Sequence, residues 1–426
     1  MLSPSKRRHS RWYEVVLFNP FFQAIVGLSF VSFIPALLVW TPKEIFLAPS
    51  ALTINTLSAV FLAYLSSFFI IRKLRKIPES NPLAYSIPCV LGCWSLVAVA
   101  LLLLREETYS RPVLIGSLVA MLLLTSFKAY LRERYHKNKF AIVPFGRAKQ
   151  LKNFGKAQMV SLTAPSLGNR RFNGVIADLH TPDLPDDWQV FLAECTLARI
   201  PVYHTQHVME ALTGRVPIDH LAENQFGSLL PSVIYTCVKR VLDFLLVLLL
   251  LPLTLPIILI AAIAVSLESK GGAFYNQQRM GYRGRAFTMY KLRSMRTDMV
   301  GKGFTEGEKD PRITKVGSFI RKYRIDELPQ ILNILKGEMS FIGPRPESLE
   351  LSKWYEKDVP FFRYRHIVRP GISGWAQVTQ GYAAEVDGMT IKLEYDFYYI
   401  KNFSIWLDML IVAKTIKTIL TGFGAR

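Results

Sequence analysis

Four apolar runs of roughly membrane-spanning length crowd the first third of the chain, near 17–41, 47–71, 85–104 and 111–130. They predict four helices that cross a bilayer. Basic residues mark their ends. Lys6, Arg7, Arg8 and Arg11 precede the first run. Arg72, Lys73, Arg75 and Lys76 follow the second, and Lys128, Arg132, Arg134, Lys137 and Lys139 follow the fourth. The alternate loops, 42–46 and 105–110, carry little net charge. The positive-inside bias therefore predicts a cytoplasmic N-terminus and a cytoplasmic exit near residue 139. The first run is too long for the apolar part of a signal peptide and has no small-residue cleavage site. It is expected to stay as an anchor.

At 426 residues, 50% hydrophobic and a net charge of +20, nucleic-acid binding is the first partner to weigh. The basic residues cluster at apolar boundaries, where they would face anionic lipid, so no nucleic-acid partner is expected. The four cysteines form no framework and show no zinc-like spacing.

A fifth apolar run, 241–267, invites the reading of a fifth crossing. That crossing would carry the Lys- and Arg-rich remainder of the chain outside, against the charge bias. Pro252 and Pro256 sit mid-run, and each removes a helical hydrogen bond. A helix that enters the membrane, breaks at the prolines and returns satisfies both facts. The expected layout is a four-span domain over 1–139, a cytoplasmic domain over 140–235, a re-entrant membrane helix over 236–267 and a catalytic domain over 268–426. In fold class this is a membrane α-helical N-terminal domain, a cytoplasmic α/β domain, and a mixed, mostly α-helical monotopic domain.

Within 140–235, strand-like runs at Ala141–Val143, Met159–Leu162, Gly174–Leu179 and Ile200–His204 alternate with helical segments. Pro144-Phe-Gly-Arg147 replaces the glycine-rich phosphate loop that a nucleotide site needs. His204 and His207 lack a third ligand. A regulatory or self-association module, with a homodimer as one form, is expected here.

Chemistry gathers after residue 268. Two strand-like pieces flank a glycine turn at 281–284 that is crowded with Arg279, Arg283, Arg285, Lys291, Arg293 and Arg296. Guanidinium pairs with phosphate through two parallel hydrogen bonds; a basic membrane-facing surface has the same composition. Arg321, Lys322 and Arg324 then lead into Asp326-Glu327, which open the periodic run Ile325, Leu328, Ile331, Leu332, Leu335. Pro329 suits a first helical turn and Gly337 ends the helix. An Asp N-cap with Glu in the first turn reads the same way. Two carboxylates among so many cations imply a polyanionic substrate and a divalent metal. Mg²⁺ takes one or two protein carboxylates and completes its shell with substrate phosphate.

Ordered motifs cover nearly all of 236–426: Lys239-Arg240 with Asp243, Gln278-Arg-Met-Gly281, and Phe287-Thr-Met-Tyr-Lys-Leu-Arg-Ser-Met295. Ile325-Asp-Glu-Leu-Pro-Gln330 with Asn333 and Lys336-Gly-Glu-Met-Ser-Phe-Ile-Gly-Pro-Arg-Pro346 follow. Arg369-Pro-Gly-Ile-Ser-Gly-Trp-Ala-Gln-Val378 and Tyr395-Asp-Phe-Tyr-Tyr-Ile-Lys-Asn402 complete the series. In these the chain resembles the bacterial sugar transferases, the polyprenyl-phosphate hexose-1-phosphate transferases, in their large form with an added membrane domain. The resemblance implies transfer of a sugar-1-phosphate from a UDP-sugar to undecaprenyl phosphate, with release of UMP. It implies Asp326 as the nucleophile that holds a covalent phospho-sugar, and Glu327 as the Mg²⁺ ligand. Arg321, Lys291 and Arg293 would complete a phosphate pocket, and Pro344-Arg345-Pro346 would form its wall. Asp396 and Gln377 would be further polar site residues.

Two departures stand out. Leu255-Pro256 occupies the place of the family's Ser-Pro pair, and Thr379-Gln380-Gly381-Tyr382 replaces Asn-Gly-Arg. The C-terminal run 403–421 reads as an interfacial amphipathic helix or a core helix. The implied place is the bacterial cytoplasmic membrane, with the catalytic domain on its inner face. The implied pathway is O-antigen, capsule or exopolysaccharide synthesis. A glycosyltransferase moving a bare sugar and a non-enzymatic transporter or scaffold are the alternatives. A carrier would want paired polar residues inside its spans, and the four runs hold almost none apart from Lys128 near an exit.

Overall fold

In the computed structural model the described residues are 11–74, 82–104, 108–135, 138–151, 157–179, 181–218, 230–297, 310–380 and 386–421. Lys6, Arg7, Arg8, Arg75, Lys76, Lys137, Gly381, Tyr382 and parts of loop 105–110 lie outside them. The chain divides into two compact units, Met1–Gly214 and Arg215–Arg426.

The first unit begins with six helices: α1 (Trp12–Phe18), α2 (Pro20–Leu37), α3 (Pro42–Phe46), α4 (Ala51–Leu74), α5 (Pro82–Leu103) and α6 (Arg111–Tyr135). Segments of α2, α4, α5 and α6 are long and apolar enough to cross a membrane. These helices meet through small residues. A Cβ on Gly27 would lie 2.3 Å from Tyr64 Oη, and one on Gly116 would lie 3.0 Å from Pro35 Cβ. Two buried hydroxyls bond along their own helices, Ser67 Oγ donating to Ala63 O at 2.7 Å and Thr125 Oγ1 to Met121 O at 2.9 Å, whereas the buried Ser32 and Ser117 Oγ have no hydrogen-bond partner among the described residues.

The same unit contains a four-stranded parallel sheet, β1 (Lys139–Ile142), β2 (Gln158–Ser161), β3 (Gly174–Ala177) and β4 (Val202–His204), in the order β2-β1-β3-β4. Alternation splits the strand residues between two cores. Ala141, Val175 and Ala177 bury against Trp188, Phe191 and Leu192 of α7 (Asp186–Leu197). Ile142 and Ile176 bury against Val208 of α8 (Thr205–Thr213). His204 caps α8, its Nδ1 accepting from Gln206 N at 3.2 Å.

The second unit is organised along α9 (Val233–Glu268), a single 36-residue helix that contains both Pro252 and Pro256. The expected break is absent from its secondary structure. Between the prolines, Thr254 Oγ1 donates to Leu250 O at 3.0 Å, a back-bond of the kind that bends helices without interrupting them. The buried residues Lys239, Asp243, Val247, Thr254, Ala261 and Val265 recur at helical spacing and form one stripe. Leu249, Leu253, Ile260 and Ile263, away from that stripe, are exposed.

Along the stripe pack the hairpin of β5 (Phe274–Met280) and β6 (Ala286–Leu292), then α10 (Lys315–Lys322), a 3₁₀ turn over Ile325–Gln330, and α11 (Ile331–Lys336). The run expected as one helix from 325 is thus two elements. Gly337, at φ 83°, ends the second. Next come β7 (Ser340–Ile342), α12 (Leu349–Asp358) and β8 (Gly371–Ser373), with β7 and β8 parallel. The last helices are α13 (Trp375–Thr379), α14 (Val386–Lys401) and α15 (Ile405–Thr421). α15 is a core helix on one face: Leu407, Leu410 and Ile411 are buried, and Asp408 pairs with Lys239. Val412 and Ile416 stay exposed. Arg215 and Val216 join this unit through Glu394, by an ion pair at 3.7 Å and a backbone bond at 3.0 Å.

Candidate active site

The hairpin, α10 and the 3₁₀ turn converge on Asp326 and Glu327. Glu268, at the end of α9, caps α10: its carboxylate accepts Lys315 N at 2.8 Å and Val316 N at 3.0 Å. Gly317 lets α10 approach the chain after β6, since a Cβ there would lie 2.0 Å from Ser294 O. The last turn of α10 carries Arg321. Arg324 then adopts φ 57° and turns the chain sharply into the 3₁₀ segment. Asn333 ties α11 to β6, donating to Thr288 O at 2.7 Å and accepting from Tyr290 N at 3.2 Å. Arg240 of α9 holds the far end of α11, donating to Ile334 O and to Leu335 O at 2.8 Å.

Glu327 is buried and surrounded by cations. Its Oε1 lies 3.1 Å from Lys291 Nζ, 3.0 Å from Arg345 Nη2 and 3.7 Å from Arg324 Nη1. Burial alone would raise its carboxyl, but Arg345, Lys291 and Arg324 outweigh that and hold it well below the usual range. Asp326 behaves oppositely. Burial, then the negative charge of Glu327, push it up to about 6 against the pull of Lys291, Arg324 and Arg321. Its Oδ1 is buried with no hydrogen-bond partner. It is therefore mostly ionised at neutral pH, yet more basic than a solvated aspartate.

The Pro344-Arg345-Pro346 wall is gripped through its backbone. Pro344 O accepts from Gly371 N at 3.0 Å, and Arg345 O from Arg365 Nη2 at 2.9 Å. Pro346 O accepts from Arg279 Nη1 at 3.0 Å, and Glu347 O from Met280 N at 3.0 Å. Four successive carbonyls are thus satisfied, and two of the residues have no N–H to offer. The free end of the segment is the Arg345 side chain, directed at Glu327.

Of the residues singled out in the sequence, Lys291, Arg321, Asp326, Glu327 and Arg345 come together. Arg293 does not join them. It is buried at the end of α9, donating to Ser269 O at 2.8 Å and Lys270 O at 2.7 Å, as a cation should beside a helix C-terminus. Asp396 sits in a second cluster, 2.8 Å from Arg365, with Glu347 and Lys392. Gln377 lies on α13 and donates to Ile372 O at 3.3 Å. Arg324 and Arg365 carry no assigned role in the sequence reading. The adjacency of Arg324 to the carboxylate pair was a usable signal; nothing local marked Arg365.

A divalent cation can be tested against these donors. Among the described residues no group of three or more His, Cys, Asp or Glu side chains gathers as an all-protein cage. All three ion pairs of Glu327 fall on Oε1. Oε2 and the unpartnered Asp326 Oδ1 remain as hard oxygen donors. This fits a Mg²⁺ that draws most of its shell from substrate phosphate and water.

The profile of the family described as bacterial sugar transferase matches residues 234–422. A protein of Aeromonas hydrophila, named UDP-N-acetylgalactosamine-undecaprenyl-phosphate N-acetylgalactosaminephosphotransferase, is 48% identical over 99% of both chains. The chain belongs to the bacterial sugar transferase family. It is a transferase of the large form, with apolar helices ahead of the matched part. Two proteins named UDP-glucose:undecaprenyl-phosphate glucose-1-phosphate transferase align with less of it. That of Xanthomonas campestris pv. campestris is 39% identical over 49% of this chain and 43% of its own. That of Escherichia coli (strain K12) is 36% identical over 52% and 48%.

Proposed function

We propose that the enzyme transfers a sugar-1-phosphate from a UDP-sugar to undecaprenyl phosphate, releasing UMP. The observation that carries this reading is the carboxylate pair: a cation-clamped Glu327 beside a buried Asp326 whose Oδ1 has no hydrogen-bond partner among the described residues. In the first half-reaction an Asp326 oxygen attacks the phosphorus that bears the sugar. An acyl phosphate bond forms, the bond to the UMP oxygen breaks, and UMP leaves with the electron pair. In the second, an undecaprenyl phosphate oxygen attacks the same phosphorus and Asp326 departs as a carboxylate. Lys291, Arg324 and Arg345 are fixed charges that need no reorganisation as negative charge moves from one phosphate to the other. Glu327 would hold Mg²⁺, which when bound supplies neutralisation of the diphosphate. Arg321 lies on the Asp326 side and would orient the phosphate under attack. A bare-sugar glycosyltransferase needs no such nucleophile and would release UDP.

The lipid acceptor requires the site to sit at a membrane surface. The buried stripe of α9 runs from Lys239 to Val265 against elements of one domain, while its other faces expose leucines and isoleucines. The helix is long and apolar enough for a full crossing, but both ends of its buried stripe pack on the same domain, Lys239 with Asp408 and Val265 beside Ile320. This supports a helix that enters and leaves on one face, with the catalytic unit at the cytoplasmic surface. An impermeant thiol reagent on intact cells, with a cysteine placed at Arg285 and the native cysteines removed, tests it. Labelling from outside would end the re-entrant reading.

N-acetylgalactosamine is the first sugar to try, because the relative named for it aligns from end to end. The deciding experiment incubates the full chain with undecaprenyl phosphate, Mg²⁺ and a panel of UDP-sugars. UMP and a diphospho-linked lipid sugar are expected; UDP as the released nucleotide would reject the reading.

A further inference from the structure

The cluster around Arg365 contacts neither member of the carboxylate pair, yet all four of its charges are buried. Arg365 and Asp396 are 3% and 1% exposed, and Glu347 and Lys392 are 8% and 9% exposed. Arg365 Nη2 lies 2.8 Å from Asp396 Oδ2, and Nη1 lies 3.7 Å from Glu347 Oε1. Lys392 Nζ meets the same Glu347 oxygen at 2.5 Å. The guanidinium stands 5.0 Å over the Phe362 ring. Burying four charges is costly unless the geometry repays it. A cluster kept only for stability could be replaced by apolar side chains.

One contact points outward. The Arg365 Nη2 that meets Asp396 also donates to the Arg345 carbonyl at 2.9 Å. Arg345 in turn reaches Glu327 at 3.0 Å. Arg279 fixes the neighbouring Pro346 carbonyl. We propose that Arg365, anchored by Asp396 and Glu347, is a positioning residue that holds the Arg345 guanidinium on Glu327 through the Arg345 backbone. Asp396 then acts at a distance, as the counter-charge that sets the Arg365 fork, and touches no substrate. The planar guanidinium suits this task because it addresses a carboxylate and a carbonyl at once. Its second nitrogen, Nη1, faces Glu347 at the same time, and a single ammonium cannot stand at both positions.

The inference rests on the proposed reaction only for its kinetic readout. UMP release is measured for Arg365→Lys, Asp396→Asn, Arg345→Ala and each double variant with Arg345→Ala, alongside the thermal midpoint. Arg365→Lys keeps the buried positive charge, so it guards against simple failure to fold. In the background with Arg345 intact, Arg365→Lys and Asp396→Asn should each lower kcat by about 10- to 100-fold with KM for the UDP-sugar nearly unchanged, as expected for slight misplacement of a charge. With Arg345→Ala, the same changes should cost about twofold or less, because the group they position is gone. Equal losses in both backgrounds would overturn the proposal and leave a purely structural cluster. A cryo-EM structure of Arg365→Lys supplies a readout that needs no turnover. The Arg345–Glu327 ion pair should open beyond contact distance, and its retention would also overturn the proposal. If wild type releases no UMP while the ion pair opens in the variant, the proposed reaction fails and the positioning role stands.

Discussion

Each unit buries a carboxylate beside a tight loop, and the two carboxylates are used in opposite ways. In the first unit, Asp178 follows β3 and faces the loop after β1. Its Oδ2 accepts Arg147 N at 3.0 Å, and its Oδ1 lies 3.5 Å from His204 Nε2. Gly146, at φ 54°, brings the loop so close that a Cβ would lie 2.6 Å from Asp178 Oδ2. With the order β2-β1-β3-β4, the crevice between β1 and β3 is the switch point where open parallel sheets receive ligands. Here the protein's own carboxylate takes the anion's place on the loop N–H. In the second unit the balance is reversed. Glu327 draws three cations, and Arg321 adds a fourth near Asp326. Charge that is matched internally closes a site, whereas surplus positive charge around a reactive carboxylate leaves room for a polyanion.

The largest expected effect breaks the reactive half of that contrast. Asp326→Asn should lower UMP release by about three orders of magnitude or more, as loss of a nucleophile does. The side chain has nearly the same shape, so insertion and the thermal midpoint should hold. A variant that releases UMP at the wild-type rate would remove Asp326 from the chemistry. Glu327→Gln should cost about a hundredfold, a loss typical of a disturbed metal environment, and EDTA should bring wild type down similarly. Turnover that persists in EDTA would sink the metal role.

Separating the two units comes next. A fragment 215–426 should keep UMP release within an order of magnitude of the full chain in nanodiscs. It must begin at Arg215 rather than at α9, because Arg215 and Val216 are bonded to Glu394. The same fragment carrying Asp326→Asn is the control. Activity no higher than that control, in a fragment that is folded and inserted, would mean that the first unit helps build the site.

The strands of the parallel sheet were legible as short strand-like runs between helical segments, and the four long N-terminal helices by their uninterrupted apolarity. The carboxylate pair was legible because its cations lie next to it in sequence. Long-range partners were not. Arg293 and Lys291 sit two residues apart on one strand-like run, and only the fold sends one to cap α9 and the other to Glu327. The bond from Arg365 to the Arg345 carbonyl joins residues twenty apart through a backbone atom, which no side-chain pattern announces. The prolines of α9 suggested a broken helix. The missing N–H groups cost bonds there, but proline's φ is itself helical, so the element continues.

A smaller effect concerns the buried cluster and pH. Burial would raise the Glu347 carboxyl, but Lys392 and Arg365 bring it down to about 2. Its folded value lies below the unfolded one, so its stabilisation is complete above the unfolded range near 4.5 and is lost as pH falls towards 2. Over that window the shift corresponds to about 3 kcal/mol. In the 215–426 fragment, Glu347→Gln should flatten the fall of the thermal midpoint between those pH values. An unchanged acid slope would show that another group carries it.

The smallest expected effect on catalysis tests the closed site of the first unit. Asp178→Ala removes the acceptor for Arg147 N and the partner of His204, both at the mouth of the parallel sheet. An unsatisfied buried donor costs about 1–3 kcal/mol, so the first unit should melt earlier in the full chain. UMP release should not change if the proposed reaction runs on the second unit, to which Asp178 does not belong. The same variant also vacates an anion-sized position on the loop N–H. If UDP or UMP then raised the thermal midpoint of the variant and not of wild type, Asp178 would be shown to exclude a phosphate from that crevice. If instead the variant lost turnover while remaining folded, the contrast between a closed site and an open one would fail. The first unit would then have to be read as part of the catalytic apparatus.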